Sequence, residues 1–170
     1  MKLNSKKKGS LIWITGLSGS GKTLIAKKLK AKLVKNNSNY LLINGDDLRS
    51  IFKLKKYDKK SRTDYAYSYG KFCKKVTDQG INIIFTAVAM FEKIRKWNRK
   101  NIKNYFEIYV KVSIKNIRKK NKKNLYKSKK INVVGKDIRP EYPKNPDLIV
   151  KNNYKKNLNF LVKKILTNLV

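Results

Sequence analysis

The chain has 170 residues and a formal net charge of +34 at pH 7, because 44 Lys and Arg residues stand against 10 Asp and Glu. This length predicts one domain with its own hydrophobic core. No apolar stretch reaches the roughly 18 residues that cross a membrane, and the short basic N-terminus lacks the apolar segment of a signal peptide. Cys73 is the single cysteine, so an internal disulfide is excluded and a reducing cytoplasm is favoured.

The positive charge comes mostly from lysine, since the sequence has only six arginines, at positions 49, 62, 95, 99, 118 and 139. Lys, Asn and Ile are abundant together, as an AT-rich coding sequence produces without selection for a ligand. The lysines are also spread along every predicted helix. A solvated surface is therefore favoured over a nucleic-acid groove, although the positive field would attract anionic nucleotides.

Apolar runs alternate with helical patterns along the chain. Strands are predicted at residues 11–15, 40–43, 81–88, 105–112 and 147–151. Helices are predicted at residues 22–35, 62–79, 91–100 and 154–170, with short ones from Asp46 or Asp47 to about 54 and from Ser113 towards 123. The first helix is expected to bury Leu24, Ile25, Leu29 and Leu33, and Gly80 is expected to end the helix of residues 62–79. This alternation predicts a parallel five-stranded α/β sheet with helices on both faces.

Residues 16–23 read Gly-Leu-Ser-Gly-Ser-Gly-Lys-Thr and match G-x-x-x-x-G-K-[ST] in full, between a predicted strand and a predicted helix. Glycines let the backbone N–H groups point at phosphate oxygens, and the helix N-terminus favours the same anion. Lys22 is expected to reach the β- and γ-phosphates, and the Thr23 hydroxyl to ligate Mg²⁺. A nucleoside triphosphate is therefore predicted to bind, with ATP favoured. The predicted nucleotide-binding residues are Gly16, Leu17, Ser18, Gly19, Ser20, Gly21, Lys22 and Thr23.

The motif defines the predicted domain organisation. We expect a basic N-terminal tail at residues 1–10 and a single P-loop domain at residues 11–170. Within it, residues 119–146 have little apolar content and contain Gly135, Pro140, Pro143 and Pro146. We interpret them as a lid over the nucleotide.

The carboxyl ends of parallel strands meet at one edge of the sheet, so ligands are expected there. Asp46 follows the second strand and is predicted to accept the proton of an acceptor hydroxyl or to hold Mg²⁺ through water; a simple helix cap is the alternative. Asp47 is expected to be that cap or to support Asp46. Arg49 and Arg62 are candidates for acceptor anions, because a guanidinium binds phosphate in a planar, bidentate way that lysine does not copy; ordinary surface arginines are the alternative.

The lid contributes further candidates. Arg118 and Lys123 are predicted to place positive charge over the phosphates. Tyr126 is a candidate for stacking on a base, with an ordinary surface tyrosine as the alternative.

The ordered motifs of the chain resemble the adenylylsulfate (APS) kinase family. They are residues 16–23, Gly45-Asp46-x-x-Arg49, Arg62, Asp78-x-Gly80, residues 105–110, residues 123–126 and Pro143-x-x-Pro146-Asp147. The resemblance implies a kinase that moves the ATP γ-phosphate to the ribose 3′-hydroxyl of a nucleotide acceptor. It also implies that Asp46 activates the acceptor, that Arg49 and Arg62 contact its anions, and that a homodimer is one form the protein can take.

The sequence departs from that family on the acceptor side. The family pattern Asp-Gly-Asp-Asn appears as residues 44–47, Asn-Gly-Asp-Asp, and Glu-Asn-Ile-Arg-Arg appears as residues 64–68, Asp-Tyr-Ala-Tyr-Ser. Residues 88–93 replace Phe-Ile-Ser-Pro-Tyr-Arg, and the lid is shortened around residues 128–132. The ATP-side motifs are kept while the acceptor-side motifs change. This pattern indicates the same reaction on a different nucleotide.

Two further segments, Trp97-Asn98-Arg99 and residues 143–147, resemble the cytidine diphosphoramidate kinases of bacterial capsule modification. That resemblance implies cytidine diphosphoramidate as the acceptor, a nucleoside with two linked acidic groups. The alternatives are an adenylylsulfate kinase of sulfate assimilation, a basic nucleic-acid-binding protein with a nucleotide switch, and a catalytically silent ATP-binding subunit. Asn44 leaves room for the last, while Lys22, Thr23 and Asp46 count against it.

Overall fold

The computed structural model describes residues 8–36, 38–120, 126, 128–155 and 157–169. Helices and strands alternate along this part of the chain. The strands are β1 (Ser10–Thr15), β2 (Leu41–Asn44), β3 (Ile83–Ala87), β4 (Asn104–Lys111) and β5 (Leu148–Lys151). The helices are α1 (Lys22–Lys35), α2 (Gly45–Ile51), α3 (Lys59–Asp78), α4 (Glu92–Asn101), α5 (Ile114–Lys120) and α6 (Leu158–Thr167). The predicted α/β class is confirmed.

The five strands form one sheet in the order β2-β3-β1-β4-β5, and every neighbouring pair is parallel. From β1 the chain crosses to the edge strand β2 and returns to β3 beside β1, and it then passes β1 to reach β4 and β5 on the other side. The strand order therefore reverses at β1, and the crevice beyond its carboxyl end is the place where such sheets bind ligands. The glycine-rich loop leaves β1 at that point.

Alternate residues of β1 pack on opposite faces of the sheet, as strand geometry requires. Ile12 and Ile14 join the core beneath α1 and α6, while Leu11 and Trp13 join the core beneath α3. The Trp13 ring stacks on Phe85 with centroids 4.8 Å apart. The prediction that helices cover both faces is confirmed.

Several local predictions change at the ends of helices. α2 begins at Gly45 with Asn44 as its N-cap and no side-chain cap bond, so the prediction that Asp46 or Asp47 caps it is wrong. Both aspartates instead lie in the first turn, where negative charge suits the helix dipole. α6 begins at Leu158 and not at Tyr154: Tyr154 has a left-handed φ of 62°, and the side chain of Asn157 caps the helix by accepting a hydrogen bond from Asn159 N at 2.8 Å.

Of three further predictions about helices, one is wrong and two are confirmed. Leu24 was expected on the buried side of α1 but is 53% exposed, because its side chain projects away from the stripe that Ile25 and Leu29 form. Ser113 accepts a hydrogen bond from Asn116 N at 3.2 Å, which confirms its capping role. Gly80 follows α3 with a φ of 87°, which confirms its place at the helix end.

The predicted lid region has no strand or helix beyond α5 among its described residues, apart from a single bridge between Val134 and Ile138. It is tied to the core by buried side chains. Tyr126 is one of them, and its hydroxyl donates to Val134 O at 3.2 Å. The interpretation of Tyr126 as an ordinary surface residue is therefore wrong, and base stacking stays a prediction. None of the described helices is long and apolar enough to cross a membrane.

Candidate active site

The glycine-rich loop packs so closely that side chains do not fit at its key positions. Gly16, Gly19 and Gly21 have φ angles of 151°, 81° and 94°, which favour glycine. A Cβ on Gly16 would lie 2.6 Å from Val110 O, and one on Gly21 would lie 2.7 Å from Asn152 Nδ2. The loop therefore follows the course that the phosphate-binding motif requires, from the end of β1 to the start of α1.

Lys22, the first residue of α1, turns back over this loop. Its ammonium donates to Gly16 O at 2.9 Å and to Leu17 O at 2.8 Å, and the residue is only 8% exposed. Thr23 follows it on the exposed side of the helix. Ser20 Oγ is buried and makes no hydrogen bond among the described residues. A cation, hydroxyl groups and a glycine cradle at a helix N-terminus fit a triphosphate and its Mg²⁺.

Two side chains after β5 hold the loop from behind. Asn152 Nδ2 donates to Ser20 O at 2.9 Å, and the Tyr154 hydroxyl donates to Gly19 O at 2.7 Å. Their hydrogen bonds fix the carbonyls of Ser20 and Gly19 and so hold the course of the loop. The sequence analysis missed both residues; their position directly after the last strand, at the ligand-binding edge of the sheet, was the available signal.

A cavity of about 1130 Å³ lies beside the loop, between the start of α2, α3, the end of β3 and the predicted lid. Ser18 of the loop forms part of its wall. Asp46, Arg49 and Arg62, the three predicted acceptor-side residues, all line it, so the structure brings them together. Lys22 and Thr23 are not among its lining residues and belong to the adjoining loop and helix.

The turn that carries Asp46 is fixed from two sides. Asn44 accepts a hydrogen bond from the Thr86 hydroxyl at 2.7 Å and donates to Asp47 at 2.7 Å. The Tyr69 hydroxyl donates to Gly45 O at 3.3 Å, and burial raises the pKa of Tyr69 to about 12, so this phenol keeps its proton. Asp46 lies on the exposed side of the turn and faces the cavity, whereas Asp47 supports the turn.

Arg49 and Arg62 are held by backbone carbonyls of the cavity wall. Arg49 Nη2 donates to Leu54 O and to Lys56 O, both at 2.8 Å. Arg62 donates to Tyr57 O at 2.7 Å and to Asn132 O at 2.9 Å. Burial, and after it the charge of Arg49, lowers the pKa of Arg62, while the charge of Asp46 acts in the opposite direction. These are fixed cations of a cavity and not ordinary surface arginines.

The predicted lid cations have different outcomes. Lys123 lies outside the described residues. Arg118 is exposed on α5 and is not part of the cavity wall. Lys129 and Lys130 line the cavity instead, and the sequence analysis did not single them out.

Three tyrosines of the cavity wall were also missed: Tyr57, Tyr65 and Tyr69. Arg62, Tyr65 and Tyr69 are spaced i, i+3 and i+7 along α3, which places them on one face of the helix. That spacing was the signal that could have identified an aromatic wall beside a candidate arginine.

The parallel sheet with its reversal at β1, the glycine-rich loop and the adjoining cavity with a carboxylate define a P-loop kinase. Residues 8–151 match the adenylylsulphate kinase family, and the chain belongs to that family. It is 40% identical over 163 residues to a cytidine diphosphoramidate kinase from Campylobacter jejuni, covering 94% of this chain and 95% of that one. It is 32% identical over 151 residues to an adenylyl-sulfate kinase from Clostridium kluyveri, covering 85% of this chain and 76% of that one.

Solved structures agree with this assignment at the level of the fold. The Mycobacterium tuberculosis APS kinase, solved in complex with AMPPNP and APS, superposes with a TM-score of 0.85 at 24% identity, covering 95% of this chain and 98% of that one. The predicted family resemblance is confirmed. The chain is an ATP-dependent phosphotransferase of a class that uses ATP and Mg²⁺.

Proposed function

We propose that this chain transfers the γ-phosphate of ATP to the ribose 3′-hydroxyl of cytidine diphosphoramidate, in the biosynthesis of capsular polysaccharide phosphoramidate. One observation carries the choice of acceptor. The similarity to the C. jejuni cytidine diphosphoramidate kinase, at 40% identity, extends over nearly the whole of both chains.

The charge of the cavity supports an acceptor with two linked acidic groups. Five of its described lining residues are cations, and Asp46 is the only carboxylate among them. The cations are Arg49, Lys55, Arg62, Lys129 and Lys130. A concave surface with this excess of positive charge attracts and retains a polyanion.

The arrangement supports the following division of roles in the reaction. Asp46 accepts the proton of the 3′-hydroxyl while the hydroxyl oxygen forms a bond to the γ-phosphorus. The bond from that phosphorus to the β–γ bridging oxygen breaks, and ADP leaves. Lys22 and the loop N–H groups offset the charge on the phosphates. Thr23 and Asp46 are the residues proposed to hold Mg²⁺, which adds positive charge at the phosphates when bound.

Adenylylsulfate is the second candidate acceptor, because adenylyl-sulfate kinases are among the relatives of this chain. Residues 64–68 of α3 count against it. They supply Tyr65 and Ala66 to the cavity wall, where the family pattern has Asn and Ile. Recognition on this wall therefore differs from the pattern of the adenylylsulfate enzymes.

The test is release of ADP from Mg-ATP with cytidine diphosphoramidate, CDP, adenylylsulfate or no acceptor, with phosphorus NMR to locate the new phosphate. Fast turnover with the cytidine phosphoramidate and a product phosphorylated at the 3′ position are expected. Fast turnover with adenylylsulfate would assign the chain to sulfate activation instead. Silence with every acceptor, together with nucleic-acid binding that persists at about 200 mM salt, would favour a nucleotide-switched binding protein. The cytoplasmic location, the homodimer and the domain bounds stay predictions.

A further inference from the structure

Four side chains alternate along one wall of the cavity, in the order Tyr65, Arg49, Tyr57 and Arg62. The Arg49 Cζ atom lies 5.1 Å from the centroid of the Tyr65 ring and 4.0 Å from that of Tyr57. The Arg62 Cζ atom lies 5.1 Å from the Tyr57 centroid. All three distances are within the range in which a guanidinium is attracted to an aromatic face. We call this set the tyrosine–arginine row.

The row joins three separate segments of the cavity wall. Arg49 belongs to α2, Tyr57 to the loop between α2 and α3, and Tyr65 and Arg62 to α3. Arg49 also closes the loop by donating to two of its carbonyls, and the amide of Leu54 donates back to Arg49 O at 2.9 Å. The position of the Arg49 guanidinium and the conformation of this loop are therefore coupled.

Arg49 and Arg62 have a proposed role as cations for the acceptor, but Tyr65 has no role in the proposed reaction. It is partly buried, it lines the cavity, and its ring meets Arg49 from α3. Tyr69 on the same helix is a second partner of Arg49, through a side-chain hydrogen bond, and the remaining contacts of Arg49 come from its own helix and loop. Removing the Tyr65 ring takes away the aromatic face by which α3 holds Arg49 and leaves Tyr69 as its partner on that helix. Arg49 Nε is buried and makes no hydrogen bond among the described residues, so the ring contacts add to the two Nη2 hydrogen bonds in fixing the guanidinium.

We propose that Tyr65 is a positioning residue for acceptor recognition: by holding the Arg49 guanidinium between two rings, it keeps a cation preoriented for the acidic groups of the acceptor. This inference rests on the proposed function, since it assigns the anionic part of the acceptor to this wall. Preorientation matters because a long side chain that is already ordered loses less entropy when it binds an anion. These hydrogen bonds and ring contacts of the row join α2, α3, the loop between them and Asn132, and none of them involves the glycine-rich loop, so the effect is expected on the acceptor and not on ATP.

The experiment compares Tyr65→Leu with Tyr65→Phe. Phenylalanine keeps the aromatic face, whereas leucine keeps apolar bulk without it. We expect Tyr65→Leu to raise the acceptor KM about tenfold, while kcat and the KM for ATP change less than twofold. Tyr65→Phe is expected to stay within twofold of the unaltered chain in all three. Tyr65→Gln, a second variant without a ring, is expected to behave as Tyr65→Leu and guards against a folding failure of one substitution.

Hydrogen exchange supplies a readout that does not need the acceptor. The Leu54 amide is expected to exchange faster in Tyr65→Leu than in Tyr65→Phe, because the loop loses the anchored Arg49. Equal exchange and equal acceptor KM in the two variants would overturn the inference, and so would faster exchange with an unchanged acceptor KM. If the unaltered chain turns over no acceptor at all, the proposed function fails. If the unaltered chain turns over the acceptor and Tyr65→Leu has the same acceptor KM, only the inference about Tyr65 is refuted.

Discussion

The two sides of the proposed active site are built by different means. On the ATP side, the loop of residues 16–23 presents backbone groups, and its shape is fixed by close packing against Val110 and Asn152. On the acceptor side, the cavity presents side chains, and the tyrosine–arginine row fixes them through rings and carbonyls. A surface made of backbone changes only when the loop itself changes. A surface of side chains can take a new acceptor by substitution of a few residues.

This difference agrees with the pattern of kept and altered motifs. The loop retains its full motif, whereas residues 64–68 of α3 and residues 88–93 after β3 depart from the family pattern. Ala66, Val88, Ala89 and Phe91 from these segments all line the cavity. Evolution of a new acceptor specificity is therefore expected to act on this wall while phosphate transfer continues unchanged.

The largest effect is expected at the residue where the two sides meet. Asp46→Asn keeps the size of the side chain but removes the proton acceptor, so kcat is expected to fall by about 10²- to 10⁴-fold, with ATP binding retained. Turnover measured by ADP release checks this. The matched control is Asp47→Asn, which makes the same change of charge one residue away, on a side chain that bonds to Asn44. Near-normal turnover of Asp46→Asn would remove Asp46 from the proton-transfer role.

A Cβ at a loop glycine tests the packing of the ATP side. Gly16→Ala is expected to lower the free energy of unfolding by about 3 kcal/mol and to abolish ATP binding, because its φ of 151° strains an alanine and the new methyl would meet Val110 O. Urea denaturation and calorimetric ATP titration measure the two effects. Gly45→Ala is the control: its Cβ would meet neighbours at 3.4 Å or more, so a change below about 0.5 kcal/mol is expected. Equal losses in both variants would contradict the contrast.

The sequence predicts the ATP side well because recognition by backbone requires glycine at set positions. The P-loop motif, the strand before it and the helix after it are all where the sequence placed them. The rarity of arginine in a lysine-rich chain also singled out Arg49 and Arg62, and both line the cavity; their contact with an acceptor stays a prediction.

The acceptor wall and the supports of the loop were not predictable in the same way. Asn152 and Ser20 are 132 positions apart, and Arg62 and Asn132 are 70 apart. Their hydrogen bonds exist only after the sheet brings its strand ends together, and no local pattern encodes them. In the sequence, Tyr65 stands where the family pattern has asparagine, and no local pattern connects it with Arg49. The two residues come into contact only because α2 and α3 line the same cavity.

A third region lies mid-sheet, away from both ligand sides, and provides a test of stability alone. Glu107 on β4 is 3% exposed and pairs in register with Trp13. Arg95 Nε lies 3.3 Å from its carboxylate without hydrogen-bond geometry, and Arg99 Nη2 lies 3.6 Å away. Burial raises the pKa of Glu107 to about 6, because it outweighs the attraction of the two arginines. The folded state therefore favours the protonated carboxyl.

This raised pKa sets the sign of a pH effect. The contribution of Glu107 to stability is fully present below the ordinary carboxyl pKa and is lost as the pH rises through about 6. The unfolding free energy of the unaltered chain minus that of Glu107→Gln is thus expected to fall by about 2 kcal/mol between about pH 4.5 and 7. Urea denaturation of both chains across that range measures it. Glu92→Gln is the control with the opposite sign, since the hydrogen bond from Lys96 lowers the pKa of Glu92; a flat difference for Glu107 would contradict the assignment.

The smallest effect is expected at Tyr154, whose hydroxyl supports the glycine-rich loop. It tests whether the ATP side can be altered without altering the acceptor side. Tyr154→Phe removes one hydroxyl, and with it the 2.7 Å hydrogen bond to Gly19 O. A hydrogen bond of this kind contributes about 1 kcal/mol, so the KM for ATP is expected to rise about fivefold while the acceptor KM stays unchanged. Tyr142→Phe, at an exposed tyrosine, is the control and should alter neither constant. A rise in both constants for Tyr154→Phe would mean that the loop and the acceptor wall move as one body, and the division between backbone and side-chain recognition would then lose its structural basis.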